Sequence, residues 1–437
     1  MKTYFLKYLK TTAMKHKFRI IVGMLLLAIP LCMNAQVKPV KPQQNPQRSE
    51  AEIKEKQEAE KIRIEQEKLN KPQSDIKPQV KPVEQPKNKP NEAPEKPEKD
   101  KPKLGDYIKL SGFVQGMYQA NLNEEGELSS NTFRMRRVRL SVEGTLYKGL
   151  TYKIQGDFSR SPMLVDAYLK YKVADAFAIQ LGQFKTPFSL ESPINPVNLE
   201  IFDYGEGIQK LVGYSDVCGV GGLGRDIGLM ATGSLFPIKG DEGIKYHVVE
   251  YALGVFNGNG PTTTDNNNRK DVVGRLDIHP GLKALTLSGS LYLGKYTNGI
   301  NVNCKRNRWA AGAQYNDGNL VIRGEYLRGT TGYFNEIIDE GIEQYQLSNG
   351  YYVVAGYNFK LGKEGKQTLM SVLRYEHFQP GDRTNDVLGM NNYYSAGLNY
   401  WPIKNVNIKV DYSLVEKVIA DKTYSHRLVG MVSYKFN

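Results

Sequence analysis

Four oppositely charged pairs stand two residues apart: Arg275 and Asp277, Arg323 and Glu325, Arg374 and Glu376, and Lys409 and Asp411. All four lie in stretches where apolar and polar residues alternate. Successive side chains of an extended chain point to opposite faces, so each pair shares one face of a strand and its charges largely compensate. Arg137, Arg139, Lys153, Lys170, Lys172 and Lys435 fall on the same kind of face by parity, against Glu143, Asp157 and Asp166. Fixed charges along a face act through their field on a passing ion, and the slight positive excess gives a weak preference for anions. Arg137, Arg139, Lys153, Lys170, Arg275, Arg323, Arg374 and Lys409 are therefore the candidate selectivity residues.

Covalent chemistry finds less support. The chain after residue 35 has only His247, His279, His377 and His426, and no serine sits in a G-x-S-x-G elbow. His377 and His426 are the first residues to ask about catalysis, and both read better as residues of strand ends or loops. Gly219, Gly221 and Gly224 satisfy G-x-G-x-x-G, but a loop precedes them and a strand pattern follows. A dinucleotide site needs a strand before the motif and a helix after it. Cys218 and Cys304 are not in metal-ligand spacing, and a disulfide or two thiols are both open. No catalytic residue, metal or cofactor is implied.

The elements that would hold these charges are strands. Residues 149–158 alternate cleanly, with Leu150, Tyr152, Ile154, Gly156 and Phe158 on one face and Thr151, Lys153, Gln155 and Asp157 on the other. Residues 405–414 repeat the pattern. Further runs lie near 107–120, 132–146, 164–172, 176–184, 226–235, 246–256, 271–279, 284–294, 307–316, 319–329, 351–360, 367–377, 391–401 and 426–436, making about sixteen strands. Bacterial barrels use even strand numbers, short periplasmic turns and longer outer loops. Short turns near 148–149, 174, 279–281, 317–318 and 402–403 alternate here with the longer segments 121–131, 185–225, 257–270, 295–306, 330–350 and 378–391. A soluble sandwich gives alternating strands without this asymmetry. The expected fold is a transmembrane antiparallel β-barrel over 104–437, in contact with outer-membrane lipid. Many of the 28 tyrosines lie near strand ends, as interfacial girdles would have them. The longest connection, 185–225, is the expected constriction, with Lys210 and Arg225 its positive candidates and Glu191, Glu200, Asp203, Glu206 and Asp216 its acidic ones.

Two segments precede the barrel. Lys2, Lys7, Lys10, Lys15, Lys17 and Arg19 lead into an apolar run over 20–31, too short to cross roughly 30 Å of hydrocarbon as a helix. It reads as a signal peptide over 1–35, cleaved after Ala35. Leu31 before Cys32 is not a small residue, which argues against lipid attachment. Residues 36–103 are rich in Lys, Pro, Glu and Gln and cannot bury a core. They read as a periplasmic arm or linker, with a solvated helix over 49–69 and a semi-stiff spacer beyond. The net charge of +13 is shared out as six positives in the leader, +4 in the arm and +3 in the body. That excludes the clustered basic footprint of a nucleic-acid binder.

At 136–158, reading RRVRLSVEGTLYKGLTYKIQGDF, the chain resembles the phosphate-selective porin O and P family. The likeness continues through VDAYLKYK (165–172), LGQFKTPFSLES (181–192), GRDIG (224–228), GVFNGNG (254–260), GEY (324–326), RYE (374–376) and AGLNYWPIKNVNIKVDY (396–412). It implies a sixteen-stranded outer-membrane porin, a homotrimer that passes small anionic or neutral solutes, and it raises phosphate as a preferred one. The inward charges are more mixed than a strong lumenal arginine excess would be. The arm lies outside the resemblance. A rival reading makes the barrel an anchor whose arm, 36–103, tethers the outer membrane to peptidoglycan or a periplasmic partner.

Overall fold

Alternation gives each strand one apolar and one polar face, and a backbone crossing hydrocarbon must send every N–H and C=O to a neighbouring strand. The computed structural model meets both demands with a closed ring of sixteen antiparallel strands. It describes residues 107–240, 243–297, 303–332, 345–362, 365–381, 389–419 and 421–436; the expected leader and arm lie outside them.

The strands are β1 (Lys109–Leu122), β2 (Leu128–Tyr147), β3 (Leu150–Asp157), β4 (Leu164–Ala174), β5 (Phe177–Lys185), β6 (Arg225–Gly240), β7 (Gly243–Phe256), β8 (Asp271–Ile278) and β9 (Leu285–Leu293). A separate hairpin, β10 (Lys295–Thr297) and β11 (Asn303–Lys305), stands in the next connection. The ring continues with β12 (Arg308–Asn316), β13 (Leu320–Gly332), β14 (Tyr345–Leu361), β15 (Gln367–Gln379), β16 (Met390–Ile403), β17 (Val406–Val418) and β18 (Lys422–Phe436). Each barrel strand pairs with its neighbour in sequence, and β1 closes on β18 in the register Gly112↔Phe436 to Leu122↔His426.

The turns on one side are tight. Gly149 takes φ +82° between β2 and β3, and Gly318 takes φ +91° between β12 and β13, a region that costs other residues about 1–2 kcal/mol. The Asp317 carboxylate accepts from the amides of Asn319 and Leu320, which fixes the second turn.

Burial is inverted relative to a soluble protein. Leu373 is 67% exposed while its neighbours Val372 and Arg374 are 3% and 6% exposed. Leu169, Leu181, Leu253, Leu291, Val353 and Val432 are exposed in the same way on their strands. An apolar belt outside with charged residues inside is the arrangement a bilayer requires. His377 stacks on Tyr351 and bonds Asn392, and His426 stacks on Tyr412 and bonds its hydroxyl. Both alternate with inward residues and lie among aromatic side chains at the long-connection end of the barrel.

The observed strands overrun the expected ones at their outer ends. β2 begins at 128 instead of 132, and β14 at 345 instead of 351. In β2 residues 129–135 are exposed on both faces, so the alternation fades there while the ladder continues.

Leu373→Lys places a charge midway along β15 on the lipid face. The substitution is expected to lower the unfolding free energy in lipid vesicles by about 2–4 kcal/mol, measured by urea titration. An unchanged midpoint would put Leu373 elsewhere.

Candidate functional site

The connection 186–224 supplies the site. Its side chains and backbone touch inward residues of β2, β8, β9, β12, β13, β15, β16 and β17, strands on every side of the ring. A segment that does so runs through the interior. Within it, Asn195 caps a single turn at Pro196–Asn198 through the Val197 amide, and helix α1 (Glu206–Val212) ends at Gly213 in the left-handed region.

Two kinds of contact hold this inward loop. One is apolar: Phe188, Leu199, Ile201, Phe202, Ile208 and Leu211 are buried in a single cluster with Leu327, Val354, Val372, Phe378, Val429 and Met431 of the wall. Burying each such side chain contributes about 1.5–3 kcal/mol. The other is ionic. Glu191 takes two bonds from Arg374, at 2.6 and 3.0 Å, and Glu200 two from Arg323, at 3.1 and 2.6 Å. Asp216 takes two bonds from Arg308 and one from Arg306, each 2.7 Å. Asp203 lies between Arg137, at 3.0 Å, and Arg136. Fork-to-fork arginine pairs fix geometry as well as charge.

Burial pushes the Asp203 carboxyl up, but the charges and hydrogen bonds of Arg136 and Arg137 outweigh it and hold the group at about 2. Its contribution is therefore present above the ordinary carboxylate range and is lost as pH falls through about 2.

The eight candidate selectivity residues all lie on the inner face, but they do not form one free ladder. Arg137, Arg323 and Arg374 bind loop carboxylates. Arg139 pairs with Asp157 at 3.0 Å. Arg275 pairs with Asp277 at 3.0 Å and also donates to the Ser189 carbonyl at 3.1 Å. In two of the four pairs of residues two apart the charges are not joined by a direct bond. Arg323 turns to Glu200, leaving Glu325 to accept from the Ser189 hydroxyl and the Leu190 amide. Lys409 donates to the carbonyls of Leu199 and Ile201, at 2.5 and 3.2 Å, instead of to Asp411. In both cases the loop offers a better acceptor than the strand's own neighbour.

Of the loop candidates, Glu191 and Asp203 are clamped as described. Arg225 opens β6 and grips Asp166 of β4 at 2.7 Å, so it belongs to the wall. Lys210 sits on α1 and lines a cleft of about 270 Å³ with Glu206, Tyr393 and Arg427. A second cleft, about 250 Å³, lies between the loop at 193–196 and strands β2 to β6, lined by Arg139, Lys153, Lys185, Arg225 and Asp166. The Lys185 ammonium there donates to the carbonyls of Ser192 and Ile194 and the hydroxyl of Tyr204. A third cavity of about 380 Å³, at the short-turn end, holds Lys170, Lys172, His247 and Arg275 with Asp175, Glu250 and Asp277.

Residues missed by sequence reasoning include Arg306, Arg308 and Lys185. The two arginines stand two apart, the same-face spacing already used elsewhere, at the edge of a run read as loop. The glycine motif proves to be a turn: Gly219, Gly221, Leu223 and Gly224 all have positive φ where the loop returns to β6.

A family model described as "Phosphate-selective porin O and P" matches residues 108–436. Among solved structures, the chain is similar to an anion-selective porin from Comamonas acidovorans, with a TM-score of 0.54, 13% identity, and 75% of this chain and 99% of that one covered. It is similar also to the outer membrane channel DcaP of Acinetobacter baumannii, with a TM-score of 0.53, 14% identity, and 75% and 97% covered. Salmonella typhi OmpF in complex with daunomycin gives a TM-score of 0.54, 15% identity, and 76% and 99% covered. At these identities the likeness is one of fold. No curated protein matches the chain.

Arg374→Ala leaves Glu191 and Glu376 buried beside a missing cation. It is expected to cost about 3–5 kcal/mol of stability, and Arg374→Met combined with Glu191→Gln distinctly less. A double-mutant cycle by urea titration in vesicles measures both. Additive losses would mean that Arg374 and Glu191 do not act as a pair.

Proposed function

Because the chain belongs to the phosphate-selective porin O and P family of outer-membrane channels, we propose that it lets small hydrophilic solutes diffuse passively across the outer membrane, with a weak preference for anions. The cleft between the inward loop and β2 to β6 carries this reading: Arg139, Lys153, Lys185 and Arg225 face it, and with Arg139 held by Asp157 and Arg225 by Asp166 the remaining positive excess comes from Lys153 and Lys185. At the short-turn mouth Lys170, Lys172 and Arg275 are matched by Asp175, Glu250 and Asp277, so that end adds little to the preference.

Selectivity in this reading is a matter of field and width. Arg136, Arg137, Arg306, Arg308, Arg323 and Arg374 are already bound to Asp203, Asp216, Glu200 and Glu191. That supports general anion preference over a dedicated phosphate path, which the family name alone suggests. The role of Lys153, Lys170 and Arg275 is to bias entry by degrees, and that of Arg137, Arg323, Arg374 and Lys409 is to hold the loop that sets the width.

Residues 1–35 act as a cleaved leader. The arm, 36–103, serves as a solvated periplasmic spacer that reaches toward peptidoglycan or a periplasmic protein. The assembly is a homotrimer, for which the short strands β3 to β5, with Ile154, Leu169 and Leu181 exposed outside, offer an apolar wall.

The reversal potential of refolded protein in a planar bilayer across a salt gradient tests the proposal. Discrete conductance steps with a modest anion preference are expected, and Lys153→Glu should move the potential toward cations. Phosphate should pass without blocking. Strong phosphate block would make the channel a dedicated phosphate path, and the absence of conductance would contradict a pore.

A further inference from the structure

Beyond its leader the chain has two cysteines, 86 positions apart, and the fold brings both to one tyrosine. Cys218 lies on the returning limb of the inward loop. Cys304 lies on β11, directly across from Tyr296 of β10. The buried Tyr296 side chain interacts with both cysteines, which gathers the two around one ring.

The surroundings favour reaction. Arg308 donates to the Cys218 sulfur at 3.4 Å, and both Arg306 and Arg308 act on it electrostatically. Positive charge at a thiol favours the thiolate, which is the nucleophile in disulfide exchange. Both cysteines are half-buried, which leaves them within reach of a reagent. The limb that carries Cys218 is already fixed in place, since Asp216 takes bonds from both arginines and from the Cys218 amide at 2.8 Å.

We propose that Cys218 and Cys304 are a disulfide site, and that the bond staples the inward loop to the β10–β11 hairpin. The Cys218 thiolate attacks a protein disulfide of the thiol-oxidase class found in oxidising compartments, breaking its S–S bond and expelling one thiolate. The Cys304 thiolate then attacks the Cys218 sulfur and expels the second oxidant thiolate. Two cysteine protons and two electrons leave, and the oxidant disulfide becomes a dithiol. Closure of a long segment of chain restrains the loop in addition to its ion pairs. Exposure to an oxidising compartment rests on the outer-membrane reading, whereas the pairing itself does not.

Two preparations separate those premises: protein taken from the outer membrane without reductant, and refolded protein equilibrated with oxidised glutathione. Each is alkylated with N-ethylmaleimide before and after reduction and mapped by mass spectrometry. The expected result in both is loss of alkylation at Cys218 and Cys304, with one cross-linked peptide that reduction resolves. Cys218→Ser should restore labelling of Cys304, and Cys304→Ser that of Cys218. In bilayers, reductant should raise the frequency of conductance fluctuations in the parent and leave the doubly substituted protein unchanged. A cross-link confined to the refolded sample supports the site and counts against the assumed compartment. Full alkylation without reductant, or a glutathione adduct in place of the cross-link, in the refolded sample overturns the pairing. A cross-link whose reduction leaves the fluctuations unchanged overturns the restraint.

Discussion

A backbone that crosses hydrocarbon has only its neighbours to bond with, and the rest of this structure depends on that constraint. Each unsatisfied amide or carbonyl costs several kcal/mol in lipid, so the sheet has to close, and β1 meets β18 to leave no edge. Closure turns one face of every strand toward a common interior. Whatever charges the alternation places on that face are then held together, and a connection long enough to reach inward meets all of them.

The loop at 186–224 uses that enclosure. Its carboxylates find arginines on several strands, and its apolar residues find a wall that is itself apolar where the loop lies. Neither set of contacts stands alone. A buried ion pair roughly balances its own desolvation and mainly fixes position, whereas apolar burial supplies most of the free energy. Gly205 shows how close the fit is, because a Cβ there would strike the Arg374 guanidinium and the Glu376 carboxylate. The outcome is an interior in which Arg137, Arg306, Arg308, Arg323 and Arg374 are paired with carboxylates of the loop. Clefts remain beside it.

Much of this was legible in the sequence, and the parts that were not have physical reasons. The sixteen barrel strands and the alternation of short and long connections follow from period-two patterning, which burial outside in lipid and inside in water enforces. The inward parity of Arg137, Arg323 and Arg374 follows from the same rule. Their partners do not, because Glu191, Glu200 and Asp203 are brought to them by a loop whose path has no periodicity. The sequence also carries a signal of the inward loop. In the runs Tyr351-Tyr352-Val353-Val354 and Leu369-Met370-Ser371-Val372-Leu373 both parities are largely apolar, which a water-filled interior would not tolerate. Doubled apolar faces mark wall covered from within, and here the cover is the inward loop. The β10–β11 hairpin was hidden for another reason, since three-residue strands carry too little pattern to stand out from a polar connection.

The central claim is that the loop at 186–224 is pinned inside the barrel and sets the width of the conducting path. Single-channel conductance of the parent, compared with a variant in which residues 189–221 are replaced by a short glycine–serine link, tests it most directly. A several-fold rise in conductance, with anion preference increased as Arg137, Arg323 and Arg374 lose their carboxylates, is the result the account requires. Unchanged conductance and selectivity in a correctly folded variant would contradict it.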